Sequence, residues 1–89
     1  MELNRWQKFE KREQLLMIGS EFLRAKNWQK KDNEKFISAL WRALELIDFT
    51  LLDLKCKNDS RILLGLRDEV AKFYSADRTD DAVLLYNAL

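Results

Sequence analysis

Residues 36 to 54 read FISALWRALELIDFTLLDL, and thirteen of these nineteen residues are apolar. Within the stretch, one seam of apolar side chains recurs at alternating steps of three and four, as on the contact face of a helix: Ile37, Leu40, Leu44, Ile47, Leu51 and Leu54. Further apolar residues surround the seam, so the pattern predicts a helix with neighbours on several sides. Leu44 and Ile47, at its middle, are expected to be buried.

The composition of the chain bounds its size and class. Eighty-nine residues, 47% hydrophobic and 35% charged, with two glycines and no proline, are typical of one folded helical domain over residues 1 to 89. A domain this small buries only about 60 to 65% of the surface that its unfolded chain exposes. The net charge of +1 gives no global field for nucleic acid, acidic substrates or a membrane.

Cysteine usage and the charged opening residues indicate a cellular location. The one cysteine, Cys56, cannot form an intramolecular disulfide, and residues 1 to 12 are too charged for the apolar region of a secretory signal. We therefore expect a cytoplasmic protein. Charges inside the 36 to 54 helix argue against membrane insertion.

Three more helices flank the central one. Residues 3 to 26 predict a first amphipathic helix with a stripe of Leu3, Trp6, Phe9, Leu16 and Leu23, broadened by Leu15, Ile18 and Phe22. Residues 61 to 74 predict a third, whose core face is Leu63, Leu66, Val70 and Phe73. Residues 80 to 89 predict a short, docked C-terminal helix. Gly19 indicates either a bend in the first helix or the close approach of another backbone, and we favour close approach. Gly65 marks a second candidate for a close contact.

The predicted fold class is all-α. We expect an up-down-up three-helix bundle with a short fourth C-terminal helix, completed by dimerisation. Strict alternation typical of strands is absent, and no repeat of 20 to 50 residues is evident.

No group of residues favours catalysis. Histidine is absent, which removes the commonest general base and metal ligand, and we expect no catalytic residue, cofactor or metal. Glu45 and Asp48 lie one turn apart and could form a carboxylate dyad, but helical carboxylates usually meet a neighbouring Lys or Arg. Asp77, Thr79 and Asp81 match the first three ligand positions of a calcium loop, but Ala82 and Ala88 replace its glycine and its closing glutamate, so the segment favours a helix cap. Cys56, between Lys55 and Lys57, has no evident base or resolving thiol.

Two kinds of binding function are weighed, the binding of nucleic acid and the binding of another protein chain. The first 31 residues carry eight basic and four acidic residues with interleaved aromatics. This pattern describes a face that contacts phosphates or, less favoured, a helix that lies at a membrane surface, although mixed solvated faces look the same. A nucleic-acid-binding accessory protein is therefore the alternative.

The preferred interpretation is an adaptor- or chaperone-like protein-interaction or structural module that forms a homodimer. The central helix has more apolar surface than two neighbouring helices can cover, and such a surface usually marks an interface. The predicted interface residues are Trp41, Leu46, Phe49 and Leu52. Another protein partner stays possible.

Overall fold

The computed structural model describes residues 3–89, with the backbone alone for residues 54–56. It contains five α-helices in this range: α1 (Leu3–Gln7), α2 (Lys11–Trp28), α3 (Asn33–Leu51), α4 (Ser60–Tyr74) and α5 (Val83–Asn87). A 3₁₀ segment, Leu54–Asp59, joins α3 to α4, and the described residues form no strand. The radius of gyration of 12.5 Å is that of a compact all-helical fold of this length. None of the described helices is long and apolar enough to cross a membrane.

The first helix is broken, which corrects the single helix expected over residues 3 to 26. Glu10 adopts an extended conformation between α1 and α2, with φ −69° and ψ 154°. Its backbone N–H donates to the Glu13 carboxylate at 3.2 Å, and this contact satisfies one of the amides exposed at the start of α2. Because α2 starts anew at this point, its side chains point in other directions than they would in one continuous helix over residues 3 to 26.

The buried face of α2 therefore differs from the predicted stripe. Leu16 and Leu23 are exposed, by 61% and 40%. Ile18 and Phe22, which were predicted to broaden the stripe, are fully buried, and so is Ala25. Leu16 and Leu23 do not share a side with Trp6, because residues 8 to 10 are not helical and the spacing of 3.6 residues per turn does not continue through them.

The central helix α3 begins where its cap residue lies. The Asp32 side chain accepts a hydrogen bond from the Lys35 backbone N–H at 3.2 Å. Ile47 is fully buried as predicted, whereas Leu44 is only partly buried against the core. The helix ends at Leu51, three residues before the predicted end. Leu54, the last predicted residue of the seam, is one of the residues whose side chains the structure does not describe.

A buried polar network fixes α1 against the end of α3. The Trp6 indole N–H donates to Thr50 Oγ1 at 3.1 Å, and the Gln14 amide donates to the Trp6 carbonyl and to the Asp53 carboxylate, both at 3.0 Å. Trp6, Gln14 and Thr50 are almost completely buried, and Asp53 is 6% exposed. Burial of these groups is tolerated because they hydrogen-bond one another.

The remaining core comes from α4 and α5. Leu63, Leu66, Val70 and Phe73 of α4 are all buried, which confirms the predicted core face of this helix. Gly65, however, is exposed, and a Cβ there would meet no atom within 4 Å, so the close contact expected at this glycine is absent.

The C-terminal segment is docked on its own bundle, one of the two placements predicted. Leu85 is 1% exposed, and Ala82 is fully buried. The Gln29 side chain ties the segment to the end of α2: its amide N–H donates to the Asp80 carbonyl at 2.7 Å, and its carbonyl oxygen accepts from the Ala82 N–H at 2.8 Å. α5 thus lies beside α2.

Candidate protein-binding surfaces

The four residues predicted for an interface lie in two environments. Trp41 and Leu52 are 58% and 63% exposed. Leu46 and Phe49 are partly buried and pack against the core. Leu46 also lines a hollow between α2 and α3 together with Met17. Leu52 is the residue that follows the end of α3, and its backbone angles are still helical. It therefore lies on nearly the same side as Trp41, because eleven residues make about three whole turns.

The exposed pair belongs to a surface that α3 shares with α4. The rings of Trp41 and Tyr74 lie 6.3 Å apart between centroids at an interplanar angle of 43°. Two turns further along α3, Asp48 Oδ1 accepts a hydrogen bond from Arg67 Nε at 2.7 Å. Seven residues forward on α3 thus correspond to seven residues backward on α4, so the two helices run in opposite directions at this surface.

We call this surface the α3–α4 face. It consists of an aromatic pair at one end, an ion pair in the middle and exposed leucines at the other: Trp41, Tyr74, Asp48, Arg67, Leu52 and Leu64. Leu64, 52% exposed, lies one turn from Arg67 on α4. The sequence alone gave no reason to group the α4 residues with Trp41, because the register of the two helices cannot be read from one sequence.

The ion pair of this face involves Asp48, one of the two residues considered above as a carboxylate dyad. Asp48 meets Arg67 of the neighbouring helix, the ordinary arrangement for a helical carboxylate. The hydrogen bond from Arg67 to Asp48, and then the charge of Asp48, raise the pKa of the Arg67 guanidinium. Both side chains are more than 40% exposed, so water screens the pair and its contribution to stability is small.

A second apolar surface lies between α2 and α5, and the sequence analysis did not predict it. It is a groove of about 680 Å³ beside α5, which we call the α2–α5 groove, lined by Lys11, Arg12, Leu15, Leu16, Gly19, Tyr86 and Leu89. Tyr86 and Leu89 approach Gly19 so closely that a Cβ there would lie 3.2 Å and 3.1 Å from them. The close approach expected at Gly19 is therefore real, but side chains rather than a backbone make it.

Basic residues of the first third of the chain are in part already paired. Lys11 forms an ion pair with Asp59 at the start of α4, and Arg24 pairs with Glu21 one turn earlier on α2. Cys56, considered above for thiol reactivity, lies among the residues whose side chains are outside the described part.

Comparison with known proteins identifies no relative of this chain. No family model, no curated protein and no solved structure matches the chain.

Proposed function

We propose that the protein is a small helical protein-interaction module, adaptor- or chaperone-like and without catalytic activity, that forms a homodimer through its α3–α4 face. The observation that carries the proposal is the exposure of Trp41 and Leu52, each by more than half, on one side of α3. Tyr74 and Leu64, 41% and 52% exposed, extend this apolar surface onto α4. Large apolar residues grouped in this way are typical of an interface.

The order of groups along the face suits a partner identical to itself. Trp41 and Leu52 are separated by about 16 Å of helix, with the ion pair of Asp48 and Arg67 between them. A two-fold axis through the ion pair would place the aromatic end of one protomer on the leucine end of its partner. This axis crosses the two helices, so the ion pair of each protomer faces the ion pair of the partner subunit.

In this arrangement α2, α3 and α4 form an up-down-up bundle, α5 is the short fourth helix, and α1 covers one end. Leu46 and Phe49 lie beside the contact and support it from within their own protomer. A stable dimer of this kind buries about 1,200 Å² or more in total. The reducing cytoplasm, inferred from the lone cysteine, is the proposed location.

Charge substitutions on the face test the proposal. Trp41→Glu and Leu52→Glu each place a carboxylate in the proposed contact, and we expect each to convert the dimer to a monomer in size-exclusion light scattering. Leu23→Glu on α2 is the matched control, since Leu23 is also an exposed leucine, at 40%, and lies off the face. Dissociation by the control but not by the other two variants would refute the assignment of the face.

A further inference from the structure

The α2–α5 groove continues inward into a smaller and more enclosed hollow. This inner hollow has a volume of about 150 Å³ and shares Lys11, Leu15 and Leu89 with the groove, so the two spaces adjoin. Ile62 of α4 and Leu89, which are 68% and 47% exposed, form accessible apolar walls, and the buried side chain of Leu66 lies at the base. The groove and the inner hollow together form one apolar space that becomes smaller towards the core.

The charged residues of the two spaces have a net charge of +1. Lys11 lines both spaces, Arg12 lines the groove and Asp59 lines the inner hollow. Lys11 and Asp59 form an ion pair, but the Lys11 side chain is 46% exposed and an ammonium has three N–H donors, so it can donate to a second acceptor. Arg12 is exposed and forms no ion pair with the described residues. One negative charge beside Arg12 would therefore balance the three charges.

The volumes of the two spaces indicate the shape of a ligand. The groove, at about 680 Å³, has the size of a small-molecule site, and such sites are mostly apolar with a few polar groups. An apolar cavity of about 150 Å³ holds a group the size of benzene, or about six carbon atoms. An α-helix, about 10 to 12 Å in diameter, is too wide to enter it. An extended peptide would lose the hydrogen bonds of its backbone to water there, whereas an alkyl chain has none to lose.

We propose that the α2–α5 groove and its inner hollow bind a free fatty acid. The alkyl end lies in the inner hollow against Leu66, and the middle of the chain lies between Leu15 and Leu89. The carboxylate lies at the surface beside Arg12, one turn from Leu15 on α2, and accepts hydrogen bonds from its guanidinium and from Lys11. This site is separate from the α3–α4 face and does not depend on dimerisation.

A series of chain lengths tests the apolar part of the site. Octanoate, decanoate, dodecanoate and tetradecanoate, each below its micelle concentration, are titrated into the whole protein in a calorimeter. The affinity should rise about fourfold for each methylene group that becomes buried, and it should stop rising once the inner hollow is full. Decanol has the same chain as decanoate without the charge, and we expect it to bind about tenfold more weakly.

Filling the inner hollow should shorten the chain that fits. Ala88 lines the inner hollow and is exposed, so Ala88→Leu places a larger side chain there without disturbing the core. We expect it to weaken dodecanoate about tenfold and to stop the rise of affinity at a shorter chain. Asn87→Leu is the matched control, since Asn87 is exposed and lines neither space. Ile62→Trp replaces Ala88→Leu if thermal melting shows the latter to be unfolded.

Removing the charge of Arg12 tests the carboxylate part of the site. Arg12→Gln should weaken decanoate about tenfold and leave the affinity for decanol unchanged. Arg24→Gln is the control, because Arg24 lies on the same helix but outside the groove and pairs with Glu21. Methyl NMR locates the ligand: decanoate should shift the signals of Leu66 and Leu89 and leave those of Leu52 unchanged.

Several outcomes would overturn the proposal. They are the absence of both heat and methyl shifts with decanoate at millimolar concentration, equal affinities for decanol and decanoate, and an affinity that rises undiminished through tetradecanoate. A loss of binding in Asn87→Leu as large as in Ala88→Leu would do the same. Binding to phosphatidylglycerol vesicles without binding of free decanoate would assign the groove to a membrane surface. Intermolecular contacts at Leu16 without binding of decanoate would assign it to a second copy of the chain.

Discussion

Alanine substitution of the two glycines gives a matched test of how α5 packs on α2. Both glycines lie inside helices, where alanine is more favourable than glycine by about 1 kcal/mol. At Gly65 a Cβ meets no atom within 4 Å, so Gly65→Ala should stabilise the protein by about this full amount. The melting temperature should then rise by about 4 to 8 °C.

At Gly19 the same gain is opposed by contact with α5. The new Cβ would lie 3.1 Å from Leu89 Cδ1 and 3.2 Å from the Tyr86 ring, closer than ordinary van der Waals contact. Both side chains are more than 40% exposed and can move outward, but they then lose part of the apolar contact that they make with α2. Losing half of the burial of one leucine costs about 1 kcal/mol, so Gly19→Ala should leave stability nearly unchanged.

Urea unfolding of the two variants, and of each in a Tyr86→Ala, Leu89→Ala background, measures the difference. In that background the obstacle is gone, so Gly19→Ala should regain the stabilisation of about 1 kcal/mol. Equal stabilisation by Gly19→Ala and Gly65→Ala in the unmodified background would refute the packing of α5 on Gly19.

Three further substitutions test other contacts. Gln29→Leu removes both hydrogen bonds to the loop before α5, and it should cost about 1 to 2 kcal/mol and accelerate amide exchange in residues 82–88 while leaving α4 protected. Ala76 has φ 65°, and Ala76→Gly should raise the free energy of unfolding by up to about 1 kcal/mol in urea titrations, since glycine adopts this conformation without strain. Hydrogen bonds from Arg78 lower the pKa of the Asp80 carboxyl, so this pair stabilises the fold above the ordinary carboxyl pKa and is lost as the pH falls through the lowered value. An NMR titration should find the Asp80 pKa raised in Arg78→Gln and unchanged in Arg61→Gln; an unchanged value in both would contradict the pairing.

How far the sequence predicts the fold differs from helix to helix. α4 was predicted well, because Leu63, Leu66, Val70 and Phe73 follow one uninterrupted helical period and all four are buried. The central helix was located for the same reason. The burial of Ile47 rather than Leu44 shows that the seam marks a side of the helix more reliably than the depth of each residue.

The N-terminal part was predicted less well for a physical reason. A glutamate at the start of α2 is a weak cap signal compared with Ser, Thr, Asp or Asn, so the break at Glu10 is not evident in the sequence. The buried role of Gln14 was equally hidden. Its partners, the Trp6 carbonyl and Asp53, are brought to it by tertiary structure, and polar residues at such positions normally point to water.

The candidate sites depend still more on tertiary structure. Trp41 and Leu52 could be selected from helical spacing alone, whereas Tyr74 and Leu64 join them only through the antiparallel register of α3 and α4. Arg24, Lys35 and Arg42 line one hollow between α2 and α3, but the sequence does not indicate this, because these residues meet only when the turn between the helices is made.

Intermolecular contacts in a mixed sample test the central proposal most directly. Equal amounts of ¹³C-labelled and unlabelled protein are combined, and a filtered NOE experiment detects contacts between different chains only. The account predicts cross-peaks from the Trp41 ring of one protomer to leucine methyl groups of its partner at positions 52 and 64, at a particle mass twice 10.7 kDa. A mass of 10.7 kDa with no intermolecular cross-peak would contradict self-association through the α3–α4 face.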